Sequence, residues 1–183
     1  MRVLDRLDTP AQVVSDLGQT LVQNPLAVAL VGDETAYVGH ASSMVYRWFT
    51  DPAIRAFYPA EDHDRHARVF VSGLRAAMAR GTDTPFAGQL VTALLERSPA
   101  FTGIWNDHEV NVRTSARKTM IHPAIGRITL DCQTLLSENL TQALLVYTAT
   151  PGSEDADKLE LLGVVGQQQF DTQPHAGRRT AAA

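Results

Sequence analysis

The sequence predicts an α+β fold: an antiparallel sheet with a large helical insertion between its second and third strands. Three observations predict it. Short alternating segments lie near both ends of the chain, while the middle repeats its apolar residues at helical spacing. A capping residue followed by proline recurs at Asn24-Pro25, Asp51-Pro52, Thr84-Pro85 and Ser98-Pro99. In such a pair the first side chain accepts an orphan N–H, and proline occupies the first turn, where its missing N–H costs nothing.

The elements follow in order. Gln12-Val13-Val14-Ser15 and Thr20-Leu21-Val22-Gln23 flank Asp16-Leu17-Gly18-Gln19, whose glycine suits a turn, so a hairpin is expected. Asn24-Pro25 then starts a helix. Ser42 or Ser43 is placed to cap a second helix through Trp48-Phe49, and Asp51-Pro52 opens a third into Phe57-Tyr58, ended by Pro59. From about Glu61 to Arg80, Ala67, Phe70, Val71, Leu74, Ala77 and Met78 keep helical spacing, and Gly81 closes the helix. Thr84-Pro85 opens a helix to about Arg97 with Phe86, Leu90, Val91, Leu94 and Leu95 as its stripe. Ser98-Pro99 opens one carrying Phe101, Ile104 and Trp105.

Strand character then returns. Val110 to Thr114 alternates, and Lys118 to Ile121 leads into a turn at His122-Pro123-Ala124-Ile125-Gly126. Arg127 to Cys132 alternates as a half-buried strand does. Leu144 to Ala149 is the most apolar strand and is expected at the sheet centre. A last helix starts at Glu154, its acidic first turn matching the helix dipole, and runs to about Val164. Two strands, a helical middle and a strand-rich end form the layout of a PAS-like sensor domain. The expected divisions are a lead-in over 1–10, the PAS-like domain over 11–166 and a disordered tail over 167–183.

Composition narrows the function. The chain has 183 residues, the size of one ordinary domain, and 44% of them are hydrophobic, enough for a real core. A net charge of −4 argues against broad nucleic-acid affinity, which rests on a basic face. Cys132 is the single cysteine, so no intrachain disulfide forms and a reducing cytoplasm is the expected location. No secretory signal or apolar run of membrane-spanning length is present. Nucleophile elbows, Walker loops, dinucleotide fingerprints and HExxH are absent. An enzyme is therefore not expected. A version using His108 or His122 as base lacks a nucleophile and paired carboxylates at any recognisable spacing. His63 and His66 share a helix face, but the sequence supplies no zinc ligand set, and no cofactor or metal is expected.

Several stretches carry a resemblance: Met44 to Pro52 with Arg55 and Phe57-Tyr58-Pro59; Ala67-Arg68 and Leu74 to Ala77; Ser98 to Phe101 with Trp105, His108 and Val110; Lys118 with His122 to Gly126; and Leu145 to Ser153. In joint order and spacing they resemble the ligand-binding domain of MmyB-like transcription regulators. The chain departs from that pattern at Ser43 and at Ala60-Glu61. The resemblance implies a PAS-like fold enclosing an apolar pocket, a fatty-acid-like ligand, and DNA affinity that changes as the pocket fills. Such regulators usually begin with a helix-turn-helix. None is legible in this sequence, so direct nucleic-acid contact is not expected, and pairing as a homodimer or with a full-length regulator is.

A cavity between insertion and sheet is expected to use Trp48, Phe57, Phe70, Leu74, Leu94, Trp105, Leu130 and Tyr147. A carboxylate-headed ligand needs a cation, and Arg47, among Tyr46, Trp48 and Phe49, is the first choice over Arg55, Arg68 and Arg75. Against this stands the simpler reading of each aromatic as ordinary core and of each arginine as solvent-facing or a partner of Asp51, Asp62 or Asp64. The competing reading of the whole chain is an interaction domain with a filled core that dimerises through its sheet.

Overall fold

A computed structural model describes residues 3–81, 84–108 and 117–172. The fold is α+β. Five strands form one antiparallel sheet in the order β2-β1-β5-β4-β3, with β1 Ala11–Ser15, β2 Thr20–Gln23, β3 Arg117–His122, β4 Gly126–Leu136 and β5 Gln142–Thr148. The apolar strand expected at the centre is there. The expected strand over Val110–Thr114 lies outside the described residues, as does 173–183 of the expected tail.

The described helices are α1 Pro25–Val31, α2 Met44–Thr50, α3 Pro52–Ala56, α4 His63–Ala79, α5 Pro85–Arg97, α6 Pro99–Asn106 and α7 Glu154–Thr172. Asn24, Asp51, Thr84 and Ser98 each cap the following helix through the side chain, with proline in the first turn. Ser43 departs from this pattern. It stands at the N-cap of α2 but makes no side-chain cap. Its hydroxyl donates instead to the Leu17 carbonyl at 2.7 Å, and the Met44 N–H donates to the Gly18 carbonyl at 2.8 Å. The hairpin turn therefore holds the start of α2. Gly18 has φ +76°, and a Cβ there would come within 3.2 Å of Val45 Cγ2, so both backbone and space call for glycine.

Alternation sorts the sheet into two faces. On the inner face Met120, Ile128, Leu130, Cys132 and Tyr147 pack with Leu30 of α1 and Leu162 of α7. On the outer face Ala11, Val13, Leu144 and Val146 are covered by Leu4 and Leu7 of the N-terminal turn. A separate core fills the helical insertion, where Trp48, Phe49, Val71, Leu74, Leu90, Leu94 and Phe101 meet. Leu95 was expected on the buried stripe of α5 but is 38% exposed, because the contacts of α5 with α2 and α6 use Leu90 and Leu94.

Asn24 joins the lead-in to this frame. It is 2% exposed, and its Oδ1 accepts the N–H groups of Ala11 and Ala27 while its Nδ2 donates to the carbonyls of Leu7 and Thr9. Asn24→Ala removes the cap and strands the Ala11 N–H, so we expect a loss of about 3 kcal/mol in urea unfolding. Asp51→Ala removes one exposed bond to the Ala53 N–H and is expected to cost about 1 kcal/mol or less.

Candidate functional site

Where the insertion crosses the inner face of the sheet, packing leaves a cavity of about 250 Å³. Its floor comes from Gln12 and Val14 of β1, Leu145 and Tyr147 of β5 and Lys118 of β3. Met44, Ala53, Ile54, Phe57, Tyr58 and Phe70 cover it. Val31, Glu34 and Tyr37 close one side. A larger cleft of about 940 Å³ lies between the N-terminal turn, α1 and α7. Its lining holds no aromatic ring and no cation, and its border includes exposed Asp5, Asp8 and Glu160. The smaller cavity, apolar with a few placed polar groups, has the character of a ligand site.

Of the residues expected to form a site, Phe57, Phe70 and Tyr147 line this cavity. Trp48 lies behind them, its ring 5.3 Å from Phe70 and 5.5 Å from Tyr58. Leu74 and Leu94 belong to the core of the insertion, and Leu130 to the core between sheet, α1 and α7. Trp105 stacks on Phe101 and lies under the Arg75 guanidinium, 4.2 Å from its ring centre. Arg68 pairs with Asp64 and Asp107.

Arg47 is 3% exposed and is ion-paired to Glu34. It also donates to the Ala41 and Ser42 carbonyls and lies 4.1 Å over the ring centre of Tyr37. Its guanidinium meets the cavity through Glu34 and Tyr37, which line the cavity where Arg47 itself does not. Burial pushes the Glu34 carboxyl above the usual carboxylate range, and Arg47 offsets only part of that rise.

Sequence reasoning missed Gln12, Glu34 and Lys118 as lining residues. Lys118 was legible in the hairpin register: pairing His122 with Gly126 sets Lys118 opposite Leu130, on the buried face. Burial raises both the Tyr58 and Tyr147 phenols well above their ordinary value, so both remain hydrogen-bond donors at neutral pH. Tyr147 accepts a bond from Gln12 Nε2 at 3.3 Å. Gln12 Oε1 accepts from Gln23 Nε2 at 3.1 Å, and Gln23 Oε1 accepts the Glu34 N–H at 2.9 Å.

The histidines divide by surroundings. His63 Nε2 faces the carbonyls of Arg55 and Tyr58, and His122 Nε2 that of Ala29. His122 Nδ1 accepts the Ala124 N–H, so it is a turn residue. His108, at φ +56° just past α6, lies 2.5 Å from the Asn106 carbonyl. Among the described residues no group of three metal-ligating side chains forms. His66 is 5% exposed, its ring 4.7 Å from that of Tyr58, and its Nε2 has no partner among the described residues. Burial, helped by the positive charges of Lys118, Arg65 and His63 and opposed by Asp62, pushes its pKa down to about 4.

The family model described as the MmyB-like transcription regulator ligand binding domain matches residues 1–162. No curated protein matches the chain. No described helix is long and apolar enough to cross a membrane.

The buried His66 makes stability depend on pH. Between its folded value of about 4 and the ordinary 6.5, the unfolded chain binds the proton and the folded one does not. Stability from this group is therefore full above 6.5 and falls as pH drops toward 4, by up to about 3 kcal/mol. We expect urea midpoints measured from pH 7 to pH 4.5 to fall less for His66→Phe than for the parent. Parallel curves would contradict this assignment.

Proposed function

Because the chain belongs to the MmyB-like transcription regulator ligand-binding domain family, we propose that the 250 Å³ cavity is its sensing site. The ligand pairs an apolar body with a carboxylate, and occupancy of the cavity is the state that the regulator reads. The observation that carries this reading is the unfilled, ring-lined space between two well-packed cores. Protein interiors close-pack, so a space of this size at their junction calls for an occupant. An interaction domain with a filled core would leave no such space.

The split sheet supports a PAS-like assignment for the domain. Output to DNA would run through a helix-turn-helix, reached by homodimerisation or by pairing with a full-length regulator. Binding is expected to couple to stability: a ligand at about a hundred times its Kd adds about 2.7 kcal/mol. For a domain of this size that raises Tm by roughly 5–10 °C.

Native mass spectrometry of the purified protein, with solvent extraction of retained compounds, tests the reading. A small acidic apolar compound is expected to be retained and to raise Tm on re-addition. Ala53 is an exposed residue of α3 at the cavity edge. Ala53→Trp is expected to keep the fold and abolish both retention and the Tm rise.

A further inference from the structure

The volume, walls and charge of the cavity narrow the ligand class, on the footing that the cavity is the sensing site proposed above. Volume comes first. At about 30 Å³ for each water-sized group, 250 Å³ holds about eight such groups. That falls below the roughly 300 Å³ at which pockets for drug-sized ligands begin. A long acyl chain exceeds this volume and would have to project past the exposed edge at Ala53.

The walls come second. Tyr37, Phe57, Tyr58, Phe70 and Tyr147 put five aromatic rings around this small space. Trp48 meets Tyr58 and Phe70 edge-on from behind, and Phe57 meets Tyr58 edge-on. A flat ring in the cavity would continue this edge-and-face packing, which aromatic quadrupoles favour over contact with a flexible chain.

Charge comes third. Lys118 is half-buried on the inner face of β3 and lines the cavity. Its ammonium makes no ion pair or hydrogen bond with a described residue. Glu34 is the carboxylate in the same lining, and Arg47 already holds it. The Tyr58 hydroxyl also makes no hydrogen bond with a described residue and offers a second donor from the wall. A cation facing apolar walls is costly until an anion joins it. From these three observations we infer that the cavity takes a compact aromatic monocarboxylate of about eight to ten non-hydrogen atoms, its anion on Lys118 and its ring among Phe57, Tyr58 and Phe70.

Calorimetric titration of the full chain with four probes tests this. They are phenylacetate, its neutral amide, octanoate (the same numbers of carbons and oxygens without a ring) and myristate. Phenylacetate is expected to bind about tenfold or more tighter than the other three. Lys118→Met is expected to weaken phenylacetate about tenfold or more while leaving the amide within about twofold, and Lys118→Arg is expected to recover most of the loss. Octanoate or myristate binding as tightly as phenylacetate would overturn the ring and size assignment. The amide binding the parent as tightly as the acid would overturn the anion seat, even if Lys118→Met fails to fold. Either result leaves the sensing function standing. No binding by any probe, together with no compound retained on purification, would overturn both.

Discussion

A buried arginine needs a counter-charge, and the wall of the cavity supplies it to the terminal nitrogens of Arg47, leaving Nε without a partner among the described residues. Arg47 lies in α2 among aromatic residues with almost no access to water. An unpaired charge there would be prohibitive. The chain answers with a carboxylate from Glu34, carbonyls from Ala41 and Ser42, and the face of Tyr37. All four groups belong to the irregular segment between α1 and α2, where short 3-10 turns would otherwise have little apolar packing to hold them. The ion pair thus fixes Glu34 and Tyr37 as one side of the cavity. As a pair it adds little stability after desolvation, and its contribution is position.

The fold was largely legible because its signals are local. Cap-proline pairs mark four helix starts, and strand alternation marks the inner face at Ile128, Leu130 and Cys132. Errors arose where a distant partner decided the outcome. Ser43 reads as a cap from sequence, but the Leu17 carbonyl, far back in the chain, takes its hydroxyl. Leu95 reads as part of a stripe, but the helices around α5 reach only one side of it.

The candidate site was legible in part, for a related reason. Aromatic residues between the strand zones pointed toward the cavity, and Phe57, Phe70 and Tyr147 line it. Sequence spacing cannot separate a ring facing a space from one packed behind it, so Trp48 and Leu74 carried the same signal from the core of the insertion. The polar members were harder. Arg47 drew attention by its neighbours, yet its partner Glu34 lies in a segment without periodicity. Lys118 required the register of β3 against β4, which the turn alone supplies.

The two glutamines beneath Tyr147 have a consequence for its phenol. Gln23 is pinned by the backbone: its Nε2 must donate to the Gly32 carbonyl, and its Oε1 must accept from the Glu34 N–H. That leaves Nε2 to meet Gln12, so Gln12 turns its oxygen toward Gln23 and its nitrogen toward Tyr147. The phenol then accepts from behind and keeps its hydrogen for the cavity. Two peptide groups beside the edge strand, the Gly32 carbonyl and the Glu34 N–H, thus fix through two glutamines how a phenol of the cavity lining is bonded.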